Sequence, residues 1–339
     1  MEAILLVGGL GTRLRPLTDN TAKPMLNVAG VPLVRHQIER ARRAGVEHVV
    51  LATSYRAETF AETLGDGTGL GLRIDYAVES EPLGTGGAIR NAAELLESGP
   101  DEPVLVLNGD IIDGHDLAAQ IEQHRTADAD VTLYLTRVDD PRDYGSVPTE
   151  GERVVAFREK SPEPISDQVN AGCYVFRRSL LDAIPAGKVV SVERETFPEL
   201  LDAGRRVLGH VSDAYWRDLG TPESYLQGCV DVVLGRVDAP ARPGPPGQRL
   251  VLDNAEVHQG ATVDGGSFVG SGARIGSQAV VHASVVLDDA IVGEGAQITR
   301  SVIGEWATVG AGAVLDGAMV VDGYEVPAGL SPDVGARLS

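Results

Sequence analysis

The chain has 339 residues, a formal net charge of −20 and 43% hydrophobic residues. This length and apolar content suffice for two domains with their own cores. The strong negative charge argues against nucleic-acid backbones and anionic membranes as partners, so a phosphate ligand has to bind at a local cationic site.

Cysteine usage and the first residues narrow the class further. Cys173 and Cys229 are far apart in sequence, so no disulfide framework or metal-ligand cluster is indicated, and each is expected to be a small buried hydrophobe. The chain begins with a strand pattern, without a basic signal region or a cleavage site. No apolar run reaches the roughly eighteen residues of a membrane span. A cytoplasmic protein with no membrane partner is expected.

The first element is an apolar run at residues 3–7, which predicts a buried strand. The loop after it combines three glycines with three cations: Gly8, Gly9, Gly11, Arg13, Arg15 and Lys23. Glycines let backbone N–H groups approach a ligand closely, so such a loop can form an anion-binding nest. Together with the fixed positive charges, it suits a triphosphate whose pyrophosphate leaves.

Two better-known glycine loops are excluded. A dinucleotide fingerprint needs a glycine where Leu14 stands, and a Walker loop needs a Gly-Lys-Ser/Thr sequence that this chain lacks. Pro16 and Pro24 prevent a long helix from starting directly at the loop. The alternative is a glycine-rich turn with solvated basic residues, but it leaves unexplained why cations cluster here in so acidic a chain.

Up to about residue 232, strand and helix patterns alternate. Strands are predicted at 46–52, 72–78, 103–107 and 131–136, and helices at 33–44, 57–64, 86–96 and 117–125. Such alternation predicts a mostly parallel sheet covered by helices on both faces. Ligands of such sheets bind at the carboxyl ends of the strands, where the loop at Gly8 and also Asp110 fall.

A linker and a repeat follow. Residues 235–248 are rich in proline, glycine and arginine. Beyond them, aliphatic residues recur every six positions, with five-residue steps before Val292 and Ile303; they are Val257, Val263, Val269, Ile275, Val281, Leu287, Val292, Ile298, Ile303, Val309, Leu315 and Val321. This register predicts a β-helix of about four coils with the steps at corners, and makes a sandwich of period-two strands improbable.

The motifs resemble those of sugar-1-phosphate nucleotidyltransferases, the sugar-nucleotide pyrophosphorylases. The matching segments occur in the family's order: Gly8–Thr18 with Lys23-Pro24, Asn108-Gly109-Asp110, Glu159-Lys160, Asn170-Ala171-Gly172 and Trp216–Pro222. The pattern is most similar to mannose-1-phosphate guanylyltransferases, including their C-terminal hexapeptide repeats. The resemblance implies a Rossmann-like α/β domain with a mostly parallel mixed sheet at 1–234, a linker at 235–249 and a left-handed parallel β-helix at 250–339.

The resemblance also assigns site residues. Arg13, Lys23 and Asp110 are implied to be catalytic. The implied nucleotide-binding residues are Leu6, Gly8, Gly9, Gly11, Thr12, Arg13, Lys23, Glu79, Pro82, Gly84, Thr85 and Asp110. Those implied for the sugar phosphate are Gly145, Glu159, Lys160, Asn170, Arg194 and Asp218. The chain departs from the family's usual Glu-Lys-Pro, because Ser161 stands where the proline is expected and Pro162 follows.

A metal site is implied at Asp110 and Asp218. Two carboxylates on separate segments suit Mg²⁺, which keeps waters and takes further ligands from substrate phosphates; Mn²⁺ can substitute. In the implied reaction a sugar 1-phosphate attacks the α-phosphorus of a nucleoside triphosphate and pyrophosphate leaves. Arg13 neutralises the leaving group and Lys23 lies near the α-phosphate and the sugar phosphate.

The Glu81–Gly87 loop resembles the family's base-side loop, and Glu79 just before it predicts that the base is guanine. A carboxylate can accept both N1–H and the N2 amino group of guanine, whereas a Gln or Asn amide suits thymine or uracil better. GTP is therefore favoured, and the resemblance favours mannose 1-phosphate as the second substrate. dTTP or UTP with glucose 1-phosphate, and GTP with a heptose or carbocyclic sugar-mimic 1-phosphate, remain alternatives.

A different class of function is an acyltransferase or a catalytically silent regulatory scaffold. Hexapeptide β-helices can carry a histidine base at a coil interface, and His258 and His282 lie in the repeats. Against the acyltransferase, these histidines occupy polar corners of the repeat and no long donor-binding loop interrupts the coils. Against the silent scaffold, the four residues expected of an active nucleotidyltransferase are all present: Arg13, Lys23, Asp110 and Asp218. The β-helix is accordingly predicted to mediate homo-oligomer contacts, since its open coil ends are exposed strand edges.

Overall fold

The computed structural model describes residues 1–9, 11–54 and 57–339. The chain divides into two compact units, of which unit 1 comprises Met1–Gly9 and Gln37–Trp216, and unit 2 comprises Leu10–His36 and Arg217–Ser339. Most of the predicted phosphate loop thus belongs to unit 2, with the C-terminal part of the chain. The boundaries predicted from the sequence, 1–234, 235–249 and 250–339, stay a prediction.

The helices agree closely with the sequence pattern. They are α1 Leu33–Arg43, α2 Ala57–Leu64, α3 Gly84–Ala93, α4 Leu117–Thr126, α5 Arg178–Ala183, α6 Phe197–Asp202 and α7 Pro222–Leu234. The third differs most from its predicted range of 86–96, because it begins two residues earlier. Residues 94–96 follow the helix in a turn whose hydrogen bonds span three residues instead of four; Leu96 N, for example, donates to Ala93 O at 3.2 Å. Among the described residues, no helix is both long and apolar enough to cross a membrane.

Among the described residues, fifteen strands precede residue 219. They are β1 Glu2–Leu6, β2 Asn27–Val28, β3 Val31–Pro32, β4 His48–Thr53, β5 Arg73–Val78, β6 Pro103–Asn108, β7 Ile111–Asp113, β8 Val131–Arg137, β9 Gly145–Ser146, β10 Thr149–Glu150, β11 Arg153–Val154, β12 Arg158–Glu159, β13 Gln168–Arg177, β14 Val207–Val211 and β15 Trp216–Asp218. The strands predicted at 3–7, 46–52, 72–78, 103–107 and 131–136 are all present, with ends shifted by at most two residues.

The main sheet of unit 1 is mixed, as predicted. Its principal order is β10-β11-β14-β8-β13-β6-β1-β4-β5. Strands β6, β1, β4 and β5 are mutually parallel, whereas β13 runs antiparallel to both of its neighbours. The parallel strands therefore deliver their next residues to one edge of the sheet. Those residues include Gly8, Ser54, Glu79 and Asp110.

The sequence pattern also predicts a strand at residues 154–158, just before Glu159, and this prediction is wrong. The range 154–158 is not one strand but the short β11 and β12, separated by residues 155–157. β11 pairs with β10 and β14, whereas β12 pairs with β9, so the two pieces belong to different parts of the sheet. A continuous apolar pattern does not reveal this change of partner, because pairing depends on residues distant in sequence.

The core of unit 1 lies on the central strands. Ile4, Val50, Val106 and Leu133 are fully buried, and Phe176 packs against the ring of Phe197 with centroids 6.0 Å apart. Both cysteines are buried and free, as predicted. Burial of these aliphatic strands on both faces explains why their sequences read as continuous apolar runs instead of alternating ones.

In unit 2, both ends of helix α7 carry residue types that commonly begin and end helices. The Thr221 side chain accepts from Ser224 N at the start, Pro222 takes the first turn, and Gly235 ends the helix with a φ of 74°. Its Tyr225 hydroxyl donates to Asn27 O at 2.6 Å, which fixes the β2–β3 hairpin within the same unit.

The rest of unit 2 is a parallel β-helix. Its strands are β16 Arg249–Val251, β17 Glu256–Val257, β18 Thr262–Asp264, β19 Ser267–Val269, β20 Arg274–Ile275, β21 Val280–His282, β22 Val285–Val286, β23 Ile291–Val292, β24 Gln297–Thr299, β25 Val302–Ile303, β26 Thr308–Val309, β27 Val314–Asp316, β28 Met319–Val320, β29 Glu325–Val326 and β30 Arg337–Leu338. They stack into three parallel sheets that surround an aliphatic interior, consistent with the predicted left-handed hexapeptide β-helix.

The register of the repeat corrects two predicted interior positions. Val286 and Val320 pack in the aliphatic interior, where Leu287 and Val321 were predicted. The five-residue step therefore comes directly after Val281, Ile298 and Leu315, at the same corner of each coil. That corner has one residue of positive φ in the later coils (Ala283, Arg300, Gly317) but two in the first coil, Gly265 and Gly266. The extra glycine accounts for the longer first coil.

Candidate active site

The loop after β1 begins with a glycine that accommodates the protein itself. The Ser54 hydroxyl donates to Gly8 O at 2.7 Å. A Cβ at position 8 would lie 2.8 Å from that Ser54 Oγ, which only a glycine avoids without a shift. Ser54, directly after β4, is a contact of the predicted loop that sequence reasoning missed, although a polar residue at the carboxyl end of a parallel strand is a recognisable signal.

Gly9 differs from the other glycines of the motif. Among the described residues, no atom lies within 4 Å of the place where its Cβ would stand. Gly11 instead has a φ of 62°, and its Cβ would lie 3.1 Å from Lys23 Cβ. Open space at Gly9 is what a closely approaching ligand needs. Leu10, which the motif also contains, lies outside the described residues.

Three predicted residues meet within unit 2. Lys23 Nζ donates to Asp218 Oδ1 at 3.3 Å, and Arg13 Nη2 lies 3.9 Å from Asp218 Oδ2. The Lys23 side chain is only 9% exposed, so its charge depends on this carboxylate for compensation. Arg13 is 66% exposed and reaches solvent beside Thr12. The arrangement provides one buried and one exposed cation around a single carboxylate.

The Asn108-Gly109-Asp110 turn is held against β1 in unit 1. Gly109 N donates to Leu6 O at 2.9 Å, and a Cβ at Gly109 would lie 2.8 Å from the same oxygen. The buried Asn108 Oδ1 has no hydrogen-bond partner among the described residues. Asp110 is half-buried at the sheet edge. An unsatisfied buried oxygen next to a half-exposed carboxylate is typical of a ligand site.

Glu79 extends β5 at the same edge. Its Oε2 accepts from Leu83 N at 3.3 Å, whereas its buried Oε1 has no partner in the described part of the chain. Burial raises the pKa of this carboxyl, and the Leu83 N–H partly opposes the rise. Pro82 and Gly84 of the following loop are exposed. Glu79 thus offers one free acceptor oxygen beside an exposed loop.

The start of α3 is largely occupied by the chain itself. A Cβ at Gly84 would lie 2.6 Å from Val190 O, and Gly86 N donates to the same oxygen at 2.8 Å. The Thr85 hydroxyl donates to Glu193 Oε2 at 2.7 Å. The glycines of this loop are therefore required by the neighbouring segment, and the side chain of Thr85 is already engaged.

The sugar-side residues predicted at Gly145, Glu159 and Lys160 come together. Gly145 pairs with Glu159 across β9 and β12, and a Cβ at Gly145 would lie 2.8 Å from Glu159 Oε2. Lys160 adopts a φ of 39°, and its Nζ lies 3.8 Å from Glu159 Oε1. Burial raises the pKa of Glu159, as does the charge of Glu193, while Lys160 and Arg194 oppose the rise.

Asn170 and Arg194 differ in how much they are already bound. The Asn170 amide donates to the Tyr174 hydroxyl at 2.8 Å and accepts from Gly172 N at 3.1 Å, so both of its polar ends have protein partners. The Arg194 side chain is exposed, and its backbone N donates to Ser191 Oγ at 3.2 Å. Arg194 is thus available to an anion, whereas Asn170 acts mainly as a support.

The two carboxylates predicted to bind the metal belong to different units, Asp110 to unit 1 and Asp218 to unit 2. Each offers only oxygen donors, which suit Mg²⁺ better than a softer metal, and Asn108 Oδ1, two residues before Asp110, is an unpaired amide oxygen within the described residues. The described residues contain no group of three or more His, Cys, Asp or Glu side chains able to hold a metal ion. Mg²⁺ needs no such cage, because it is commonly bound by one or two carboxylates plus substrate phosphates.

The repeat histidines have ordinary surface roles. His282 Nδ1 lies 2.6 Å from Asp264 Oδ1 in an exposed pair, and His258 Nδ1 accepts from Gly260 N at 3.1 Å. Their ring nitrogens are engaged locally at corners of the β-helix. The geometry therefore gives no support to the acyltransferase alternative.

Two family models match the chain. Residues 2–233 match the model described as Nucleotidyl transferase, and residues 246–329 match the model described as GMPPB C-terminal domain. Two relatives have the same kind of name. Mannose-1-phosphate guanylyltransferase of Mycobacterium tuberculosis is 51% identical, and mannose-1-phosphate guanylyltransferase 1 of Arabidopsis thaliana is 36% identical; each match covers 78% of this chain and 74% of the relative.

Solved structures agree on the fold. HddC from Yersinia pseudotuberculosis complexed with GMP-PN has a TM-score of 0.58 and 29% identity, covering 68% of this chain and 99% of that one. A putative glucose-1-phosphate thymidylyltransferase from Bacillus anthracis has a TM-score of 0.63 at 22% identity, covering 73% and 97%. The chain belongs to the nucleotidyl transferase family and, within it, to the mannose-1-phosphate guanylyltransferases.

Proposed function

We propose that this enzyme transfers a guanylyl group from GTP to mannose 1-phosphate, giving GDP-mannose and pyrophosphate. The observation that carries the choice of guanine is the unpaired, buried Oε1 of Glu79. Guanine offers two adjacent donors to such a carboxylate, whereas adenine presents a repulsive lone pair at the same position. The names of the relatives that are 51% and 36% identical support both substrates.

The proposed chemistry is a single in-line displacement. A phosphate oxygen of mannose 1-phosphate forms a bond to the α-phosphorus of GTP. The bond between that phosphorus and the bridging oxygen breaks, and pyrophosphate leaves with the electron pair. Arg13 neutralises the leaving group and Lys23 binds near the α-phosphate and the sugar phosphate, while no covalent intermediate with the protein is needed.

A divalent cation belongs to the proposal. Enzymes of this family generally use one. We assign its protein ligands to Asp110 and Asp218, with Mg²⁺ preferred and Mn²⁺ as a substitute. When bound, the ion would neutralise charge on the phosphates. Lys23 and Arg13 both contact Asp218, so an ion bound at this carboxylate would compete with these two contacts.

The other predicted residues take binding roles in the proposal. The nucleotide is assigned to Leu6, Gly8, Gly9, Gly11, Thr12, Pro82, Gly84 and Thr85, besides the residues already discussed; for Thr85 the assignment concerns the backbone, because its hydroxyl is engaged by Glu193 and Val192. The sugar phosphate is assigned to Gly145, Glu159, Lys160, Asn170 and Arg194. Open space at Gly9 and the exposure of Arg194 support these assignments most directly.

The substrate test measures pyrophosphate release for each common nucleoside triphosphate against a panel of sugar 1-phosphates. The panel includes mannose, glucose and heptose 1-phosphates, so that the alternatives are tested directly. GTP with mannose 1-phosphate should give the highest kcat/KM. Faster turnover of dTTP or UTP than of GTP would contradict the guanine assignment but leave nucleotidyl transfer intact.

Glu79→Gln tests the base contact. It should lower kcat/KM for GTP by a factor that corresponds to a loss of about 1–3 kcal/mol of transition-state binding, because an amide mismatches one of the guanine donors. It should also bring kcat/KM for dTTP and UTP closer to that for GTP. The raised pKa of Glu79 also affects the pH profile of the wild type. As the pH is lowered, kcat/KM for GTP should begin to fall at a higher pH than it would with a glutamate of ordinary pKa, because Glu79 becomes protonated earlier. The exposed Glu81→Gln serves as the matched control and should change neither property.

We also propose that a second copy of the chain covers the first coil of the β-helix. Strands β16, β17 and β18 pair on one side only within the described residues. A cavity of about 490 Å³ lies at this end, lined by residues that include Leu250, Val251, Ala255 and Val257. Open strand edges beside apolar side chains favour association with another chain.

Light scattering tests this assembly. Val257→Asp should reduce the mass to that of a smaller species, because a charge would enter the covered end. Val257 also packs against the aliphatic interior, so thermal unfolding and circular dichroism of the variant are measured alongside, and only a folded variant counts as a test. Val280→Asp, on an outward position that is 37% exposed in the second coil, is the control. An unchanged mass in the Val257 variant would place the interface elsewhere.

A further inference from the structure

The nucleotide-side loop of unit 1 packs directly on the segment that carries Arg194. Val190 O accepts from Gly86 N, and Lys188 O would lie 2.5 Å from a Cβ at Gly87. This close approach explains the glycines at the start of α3. The loop that follows Glu79 and residues 188–196 therefore form one packed element, although they are a hundred residues apart in sequence.

Hydrogen bonds join the two segments through one threonine and one glutamate. The Thr85 hydroxyl donates to Glu193 Oε2 at 2.7 Å and accepts from Val192 N at 3.0 Å. The Ser191 hydroxyl donates to the same Glu193 Oε2 at 2.9 Å. We name this the Thr85–Glu193 bridge. Because Thr85 donates and accepts at once, its hydroxyl has no hydrogen left for a ligand.

The bridge continues towards the sugar side. Residues Val192–Thr196 form a single π-helical turn, a geometry that often marks functional positions. Phe197, directly after it, packs against Phe157 with ring centroids 5.3 Å apart. Phe157 is two residues before Glu159. The position of the turn is thus transmitted by packing to Glu159, while the turn itself presents Arg194 to solvent.

We propose that Thr85 and Glu193 are positioning residues for the sugar 1-phosphate, acting through Arg194 and Glu159. The inference rests on the proposed function. It assigns the side chain of a nucleotide-loop residue to the other substrate. The bridge fixes the turn that carries Arg194 and holds Phe197 against Phe157, so the base-side and sugar-side halves of the site are set together.

The test separates the two Michaelis constants. Thr85→Val keeps the shape of the side chain but removes the hydroxyl. It should raise the KM for mannose 1-phosphate about tenfold, because losing the hydrogen bond from Thr85 to the charged Glu193 loosens the turn that carries Arg194. The KM for GTP should change less than twofold, because the Thr85 hydroxyl does not contact the nucleotide in this proposal. Thr85→Ser should restore the wild-type value. Glu193→Ala should raise the same KM at least as much as Thr85→Val, because it also removes the Ser191 hydrogen bond, and the double variant should be no worse than Glu193→Ala alone.

Thr126→Val is the matched control, because it removes an exposed hydrogen bond of 3.0 Å from a threonine to Glu122 on α4. It should leave both constants unchanged. A rise in the KM for GTP alone would show that Thr85 contacts the nucleotide and would overturn the inference, as would additive effects in the double variant. Failure of the proposed function is distinguishable, because wild-type enzyme would then prefer another substrate pair in the pyrophosphate assay.

Discussion

Two ion pairs, one in unit 1 and one in the β-helix, each join an arginine to an aspartate at similar distances. Arg40 contacts Asp113 at 2.7 and 2.5 Å, and Arg300 contacts Asp316 at 2.7 and 2.8 Å. Their surroundings differ. The Arg40 and Asp113 side chains are 10% and 3% exposed, whereas Arg300 and Asp316 are 62% and 35% exposed.

With contact distances so similar, burial is what should separate the contributions of these two ion pairs to the free energy of unfolding. Burial alone would raise the pKa of Asp113, but the charges of Arg40 and His115 outweigh it and lower the pKa to about 2. Removing one partner of such a pair leaves an uncompensated buried charge. In the exposed pair, water solvates whichever partner remains.

Glycines give a second contrast between the regions. In the β-helix, a Cβ at Gly276 would lie 2.8 Å from Glu294 N of the next coil. In the phosphate loop, Gly9 has open space among the described residues. The β-helix thus uses glycine for contact between coils, whereas at Gly9 the described residues leave the open space that the proposed nucleotide site requires.

The largest effect is expected when the buried pair is broken. Arg40→Met should lower the free energy of unfolding by about 3–5 kcal/mol, because Asp113 stays buried without its main partner. The stability that ionised Asp113 contributes in the wild type is present above a pH of about 4 and is lost as the pH falls towards 2. Urea unfolding measured across that pH range checks both statements, and a loss under 1 kcal/mol at pH 7 would contradict the first.

Next come the metal carboxylates. Asp110→Asn and Asp218→Asn should each reduce turnover roughly a hundredfold or more at saturating Mg²⁺, since each removes a charge from a preorganised site. Melting temperatures should stay near that of the wild type, in contrast to the Arg40 variant. Near-wild-type turnover in either variant would refute the metal assignment.

The glycine contrast predicts a smaller effect. Gly9→Val should lower kcat/KM for GTP about tenfold with little change in melting temperature, because the added side chain enters space reserved for the nucleotide. Gly276→Val should do the reverse and destabilise the β-helix through the clash with the next coil. The contrast fails if both variants change the same property.

The smallest effect is expected at the exposed pair. Asp316→Asn should change the free energy of unfolding by less than about 1 kcal/mol, and the change should shrink further in high salt. Urea unfolding at two ionic strengths checks this. A loss as large as that of Arg40→Met would show that burial is not what separates the two pairs.

Much of the fold could be predicted from local pattern. The helix ends at Thr221 and Gly235 follow capping chemistry, and the parallel strands follow continuous apolar runs. The six-residue period predicts the β-helix, but not its exact interior positions. Val286 replaces Leu287 because the corner geometry depends on which residue adopts a positive φ, and that is settled by stacking on the next coil.

Residue types and their spacing are enough to recognise the glycine loop with its cations, the carboxylates at strand ends and the six-residue repeat. Only the tertiary structure decided which groups are already occupied. Gly8 accommodates Ser54, Gly145 accommodates Glu159, and Thr85 binds Glu193, whereas Glu79 keeps a free oxygen. The physical reason is that occupancy depends on distances between segments far apart in the chain, and a motif records residue types without recording what fills the space beside them.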